Sequence, residues 1–320
     1  MTAAFSDPLS PLGSFGIAIV APSGYARDEA GIARGLARLA TRGCRVHNYY
    51  DPERVFQRFG ATDDVRLAQL YAAAANPDVE VVMALRGQYG LTRLLPQIDF
   101  ARLAASGKIF CGFSDFTALQ MGLYMAGGRQ SYSGPMFYPD FAPQDVDAFT
   151  LGDFARCLAG LEHRVCGHAP GNPAIDAQGI VWGGNLAMLM SLLGTDYFPR
   201  IDGGILYLED INEHPYRIER MLLQLLQAGV LGRQQALVLG DFSAYKLSAA
   251  DNGYDFDAML DYLRKTLPLP VLCGLPFGHG RTRVTIPFGA PGHLRAEGGA
   301  FELTLRDYPT LSQPVPVRAA

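Results

Sequence analysis

The chain has little of what metal, redox and nucleic-acid chemistry require. Among its 320 residues are five cysteines, six histidines and a single tryptophan. Cys44, Cys111, Cys157, Cys166 and Cys273 are odd in number and form no C-x-x-C pair, which argues against a disulfide framework and against a thiolate zinc site. The pattern fits reduced thiols in a cytoplasm. There is no H-E-x-x-H and no clustered ligand set, so neither a metal nor a cofactor is expected. Neither G-x-x-x-x-G-K-S/T nor G-x-G-x-x-G occurs, which removes the usual phosphate loops. A formal charge of −4 and a pI near 5.9 give no electrostatic reason to expect nucleic acid or an anionic membrane as partner. No apolar run is long enough to span a bilayer. Met1–Gly13 has neither a basic start nor a long apolar centre, so it does not read as a signal peptide. A small-molecule or peptide ligand is what these absences leave.

What is present is a globular composition, 49% hydrophobic and 18% charged, in a chain long enough for two cores. Apolar runs alternate with helix-period stretches through the first half: strands at 15–20, 45–49, 79–85 and 109–111, and helices around Ile32, Leu36 and Leu39 and over 66–75. A helical part follows within 94–105, and 130–133 begins a further edge strand. That alternation predicts an α/β domain, residues 1–155, with a doubly wound parallel sheet and its chemistry at the carboxyl ends of the strands. A Gly-, Pro- and His-rich stretch, 160–178, reads as the crossing within an interdomain segment 156–180. Residues 181–320 mix strands and helices less regularly, which predicts a smaller α+β, barrel-like domain. Its strands are expected at 204–208, 236–240, 271–275, 283–287 and 301–305, with helices near Ile218, Met221, Leu222 and Leu225 and over 256–265.

The densest local signal is K-I-F-C-G-F-S-D-F-T-A-L-Q-M-G-L at 108–123. A buried strand gives way to a helix, so Ser114 stands on a strand-to-helix corner with helix N-terminal amides aimed at it, the geometry of a nucleophile elbow. The second glycine of G-x-S-x-G is Phe116 here, and Ser114 with Asp115 could instead cap the helix. A serine needs a base and an orienter for it. Of the histidines, His279 is distinguished by its glycine neighbours in F-G-H-G directly after a strand. Glu209 ends the strand 204–208, with Asp210 and Glu213 as competitors. Strand pleat sends Glu209 and Asp210 to opposite faces, so only one reaches a common cleft. The turn R-G-Q-Y-G at 86–90 offers backbone amides that, with the N–H of Asp115, can form an oxyanion hole. Arg86, Arg93 and Arg281 are candidates to hold a substrate carboxylate.

R-G-Q-Y-G at 86–90, G-F-S-D-F-T-A at 112–118, S-G-P-M at 133–136, W-G-G-N-L at 182–186, L-E-D-I-N-E-H-P-Y-R-I-E-R-M-L at 208–222 and F-G-H-G at 277–280 together resemble the LD-carboxypeptidase family. The likeness runs from about Ile17 to Leu305. It implies a flavodoxin- or glutamine-amidotransferase-like first domain and a serine peptidase with a Ser-Glu-His triad. The family's serine falls on Ser114, its glutamate on Glu209 and its histidine on His279. The oxyanion amides would come from Asp115 and from Gly87 or Gln88, and Arg86, Tyr89, Trp182 and Asn185 are candidate substrate contacts. The implied reaction removes the terminal D-Ala from the murein tetrapeptide L-Ala-D-Glu-meso-diaminopimelate-D-Ala during peptidoglycan recycling, in the cytoplasm, by a homodimer. The alternatives are a same-family immunity hydrolase that cleaves a peptide-nucleotide antibiotic, and a non-catalytic muropeptide-binding protein. The family usually has Gly-Gly where Gly87-Gln88 stands. If that second position needs positive φ, Gln88 costs about 1–2 kcal/mol.

Overall fold

The computed structural model describes residues 14–311, so the expectation for Met1–Gly13 lies outside the described residues. Among the described residues thirteen strands run in chain order: β1 (Gly16–Val20), β2 (Arg45–Asn48), β3 (Val81–Ala84), β4 (Ile109–Gly112), β5 (Ser131–Ser133), β6 (Glu162–His168), β7 (Ile175–Asn185), β8 (Ile205–Ile211), β9 (Ala236–Ser243), β10 (Val271–Cys273), β11 (Ile286–Phe288), β12 (Ala290–Glu297) and β13 (Ala300–Arg306). They make two sheets.

The first sheet has the order β11-β5-β4-β3-β1-β2, parallel from β2 to β5. The order 2-1-3-4-5 is the flavodoxin-like form of a doubly wound sheet, in which ligands bind at the carboxyl ends beside the β1/β3 switch point. Strands β1, β3 and β4 are buried along their whole length, as continuous apolar runs covered on both faces must be. Strand β5 is not the edge expected from sequence, because β11 returns from the far end of the chain and pairs antiparallel with it, Pro287 opposite Tyr132. That pairing is non-local, so no local pattern announces it.

The second sheet is mixed, ordered β10-β9-β8-β7-β12-β13-β6. Its two ends are joined by a side chain. Asn172 Oδ1 accepts from Cys273 N at 2.8 Å, while its Nδ2 donates to the carbonyls of Cys273 and Gly299, each at 3.0 Å. The stretch 160–178, expected as the crossing between domains, holds β6 and the start of β7. Buried and exposed positions alternate along β6, with His163 and Val165 inward and Arg164 and Cys166 outward, a pattern that its charged and glycine residues disguise. Strand β12 was likewise hidden by Pro291 and Gly292, which ordinarily count against a strand. No helix among the described residues is long and apolar enough to cross a membrane.

Candidate active site

The carboxyl ends of β4, β8 and β10 converge on one point. After β4, Phe113 is extended and Ser114 turns into left-handed backbone at φ 63°, starting a short 3-10 turn that feeds the helix Thr117–Met125. A residue with a Cβ adopts that conformation at a cost and is held there by its surroundings. A Cβ on Gly112 would lie 2.7 Å from the Phe116 ring, and one on Gly87 would lie 2.8 Å from both Cβ and Oγ of Ser114. Both positions therefore need glycine for the corner to close. The helix is preceded by Phe116, not by a capping hydroxyl, so Ser114 is left free to act.

His279 Nε2 stands 3.1 Å from Ser114 Oγ, and His279 Nδ1 stands 2.7 Å from Glu209 Oε2. Glu209 is fully buried at the carboxyl side of β8. Its other oxygen, Oε1, accepts from Asn185 Nδ2 at 3.1 Å. Asn185 cannot turn over freely, because its Oδ1 accepts from Met188 N at 3.0 Å and caps the helix Leu186–Leu192. Three residues distant in sequence thus form a chain from carboxylate to imidazole to hydroxyl, the arrangement of a catalytic triad.

Of the competing carboxylates, Glu213 pairs with Arg217 and does not reach His279. Asp210 does not face the imidazole either, yet an irregularity in the β8–β9 register between Leu208 and Asp210 lets its Oδ1 share Asn185 Nδ2 at 3.0 Å. Burial, reinforced by the neighbouring Glu209 charge, pushes the Asp210 carboxyl up to about 6 against the pull of the Ala187 and Ile211 amides. Other histidines serve elsewhere: His214 caps the helix Pro215–Gln227, His163 lies beside Asp153, and His293 beside Asp176.

The turn at 86–90 lies across from Ser114. Gln88 has φ 85°, the left-handed backbone that glycine adopts without cost. Gly87 O accepts from Gly24 N at 3.0 Å, tying the turn to the loop after β1, and the amides of Gly87, Gln88 and Asp115 bond to no other group among the described residues. Asp115 turns its side chain away from the site. Its Oδ2 accepts from Ser23 Oγ at 2.5 Å and from Leu91 N at 2.9 Å, so one buried carboxylate ties together the loops after β1, β3 and β4. Burial raises its pKa. Ser23 and Thr117, whose Oγ1 accepts from Asn185 N at 3.1 Å, escaped the sequence reading. Ser23 had a signal available, since Ala21-Pro22-Ser23-Gly24 closes β1 at the switch point.

The candidate substrate contacts separate. Trp182 is wholly buried, with Nε1 donating to Gln234 at 2.9 Å and its ring edge-on to Phe198, so it is core. Asn185 lies behind Glu209, as described. Tyr89 is 38% exposed at the rim, its ring 6.0 Å from Phe59 and beneath Arg58. Arg93 and Arg281 are paired with Asp63 and Asp145. Arg86 is half-buried over Tyr138 and bonds the Tyr25 carbonyl, while its Nε has no partner among the described residues. All five cysteines are free, and no group of three or more potential metal ligands occurs among the described residues.

Comparison with known proteins follows the same lines. The model of the LD-carboxypeptidase N-terminal domain matches residues 17–134, and that of the LD-carboxypeptidase C-terminal domain matches residues 178–294. The crystal structure of a muramoyltetrapeptide carboxypeptidase from Oxalobacter formigenes is 50% identical, covers 92% of this chain and 100% of its own, and superposes with a TM-score of 0.89. A murein tetrapeptide carboxypeptidase from Pseudomonas aeruginosa is 29% identical over 85% of this chain and 91% of its own. The microcin C7 self-immunity protein MccF shares the fold at 22% identity, with a TM-score of 0.83 over 96% of this chain and 99% of its own.

Proposed function

The chain belongs to the LD-carboxypeptidase family of serine carboxypeptidases, and from that premise we propose that it removes the terminal D-Ala from murein tetrapeptides in peptidoglycan recycling. The observation that carries the reading is the unbroken chain of bonds from Glu209 through His279 to Ser114. Ser114 Oγ attacks the carbonyl of the L,D bond between meso-diaminopimelate and D-Ala. His279 takes the hydroxyl proton on Nε2 and returns it to the leaving amine, and Glu209 holds the proton on Nδ1 and stabilises the imidazolium. The tetrahedral oxyanion would sit between the amide of Asp115 and the turn at Gly87-Gln88, each donor contributing about 3 kcal/mol in the transition state. Water then releases the peptide from Ser114.

A carboxypeptidase must also hold a terminal carboxylate. Arg86 suits the task best, because it flanks the oxyanion turn and pairs with no carboxylate among the described residues, whereas Arg93 and Arg281 already do. The assignment of the nucleophile to a unit before residue 155 and of acid and base to a unit after residue 181 belongs to the same reading, as do a cytoplasmic location and a homodimeric state. The 50% identity to the Oxalobacter protein favours a murein tetrapeptide over the peptide-nucleotide cleaved in the immunity alternative. Mass spectrometry of murein tetrapeptide before and after exposure to the protein tests the proposal. Loss of one alanine is expected. Intact tetrapeptide, with turnover of a peptide-nucleotide in the same panel, would overturn it.

A further inference from the structure

His279 has glycine on both sides, and Gly278 lies at φ 145° with an added Cβ only 2.7 Å from Asp241 Cβ. Flanking glycines allow the tight loop but do nothing to fix the imidazole-bearing backbone within it, since they widen the accessible φ/ψ range. A base that must meet a hydroxyl at hydrogen-bond distance needs that freedom removed. A buried arginine removes it. Arg283, 4% exposed, donates from Nε to the Gly278 carbonyl at 3.1 Å and from Nη2 to the Gly280 carbonyl at 2.7 Å, so one planar guanidinium grips the carbonyls of both residues that flank His279. Its Nη1 pairs with the buried Asp140, whose second oxygen accepts from Met136 N at 2.8 Å.

The same guanidinium also refers to the nucleophile. Arg283 Cζ lies 4.5 Å from the centre of the Phe113 ring, and that ring stands 5.1 Å from the imidazole of His279. Phe113 is the residue before Ser114. Base and nucleophile are therefore set against one buried cation from two directions. The rest of the loop is anchored separately: Thr282 Oγ1 donates to Asp147, Arg283 N to Thr150 Oγ1, and Thr285 N to Asp153. Loss of the guanidinium would free 278–280 without releasing the flanks.

We propose that Arg283, charge-balanced by Asp140, is a positioning residue that fixes the His279 loop and through it the imidazole's approach to Ser114. The proposal rests on the triad reading above. Arginine suits this task and lysine does not, because only a planar fork can span two carbonyls while keeping a carboxylate partner.

The test measures D-Ala release from murein tetrapeptide by wild type, Arg283→Lys, the double variant Arg283→Met/Asp140→Asn, and Ser114→Ala. Removing both charges together avoids stranding a buried carboxylate, and Arg283→Lys keeps the charge pair should the double variant not fold. Misplacement of a catalytic group by about 1 Å costs about 100-fold, so kcat should fall about 10- to 100-fold in both Arg283 variants with KM within about twofold. The proton NMR resonance of the His279 Nδ1–H, identified by its absence in His279→Gln, should broaden or vanish in the same variants while circular dichroism is unchanged. A folded variant with wild-type kcat, or one whose Nδ1–H resonance is unaltered, overturns the proposal. Full activity in Ser114→Ala would instead overturn the triad reading, so the two failures are distinguishable.

Discussion

Replacing Glu209 by glutamine keeps size and shape but removes the charge and turns one of the two acceptor oxygens into an NH2 donor. Its consequence follows from Asn185. That residue caps a helix through Oδ1 and so must present Nδ2 to position 209. If the new amide turns its oxygen to Asn185, its NH2 faces His279 Nδ1, and the imidazole carries its proton on Nε2, where it cannot accept from Ser114. If the amide turns the other way, two NH2 groups meet in a fully buried site, leaving donors unpaired at about 1–3 kcal/mol. Either orientation is unfavourable, and the first is cheaper. A base locked in the wrong tautomer loses on the order of 10⁴ in kcat, about 5 kcal/mol at about 1.36 kcal/mol per tenfold. Glu209→Gln should therefore bind murein tetrapeptide with nearly unchanged affinity and release D-Ala about 10⁴-fold more slowly, with thermal stability within about 2 kcal/mol of wild type. A folded Glu209→Gln enzyme retaining more than about a tenth of wild-type kcat would refute the tautomer argument.

Gln88→Gly should relieve left-handed strain and, after the entropy of an added glycine, stabilise by about 0.5–1 kcal/mol in urea unfolding; unchanged or reduced stability would show that φ 85° is not a burden. Gly87→Ala places a methyl 2.8 Å from Ser114 Oγ, and kcat should drop by about 100-fold or more while the protein still folds; retained activity would mean that the turn moves easily. Asp210 titrates from 3.8 when unfolded to about 6 when folded. A raised folded pKa gives a stabilising contribution that is full below the unfolded value and lost as pH rises through about 6, amounting to about 2–3 kcal/mol. Wild type should lose that much stability relative to Asp210→Asn between about pH 4 and pH 7, and parallel pH curves for the two would contradict the assignment.

Much of this was legible in the sequence because it is local. The strand-to-helix corner at Ser114, the strand end at Glu209 and the glycine-flanked His279 are each announced by a short pattern, and the motifs together resemble one family. What escaped is non-local. Strand β11 caps the first sheet from 153 residues downstream, with Ile286 opposite Ser133 of β5, and no local pattern encodes such a partner. The alternation of β6 is hidden by charged and glycine residues. Trp182, in a glycine-rich W-G-G-N stretch that reads as a turn, lies instead within β7 with its indole spent on Gln234 inside the core. Asn185 ends the same strand and bonds Glu209, a contact visible only once β7 and β8 are set side by side in register.

Everything proposed for the site requires Ser114 to be a nucleophile made reactive by His279. Treatment with a serine-reactive phosphonate followed by peptide mass spectrometry tests it most directly. A single adduct on Ser114 is expected in wild type, far slower to form in His279→Ala, with D-Ala release lost in proportion to labelling. Adduct on another serine, or full labelling of Ser114 with tetrapeptide hydrolysis intact, would contradict it.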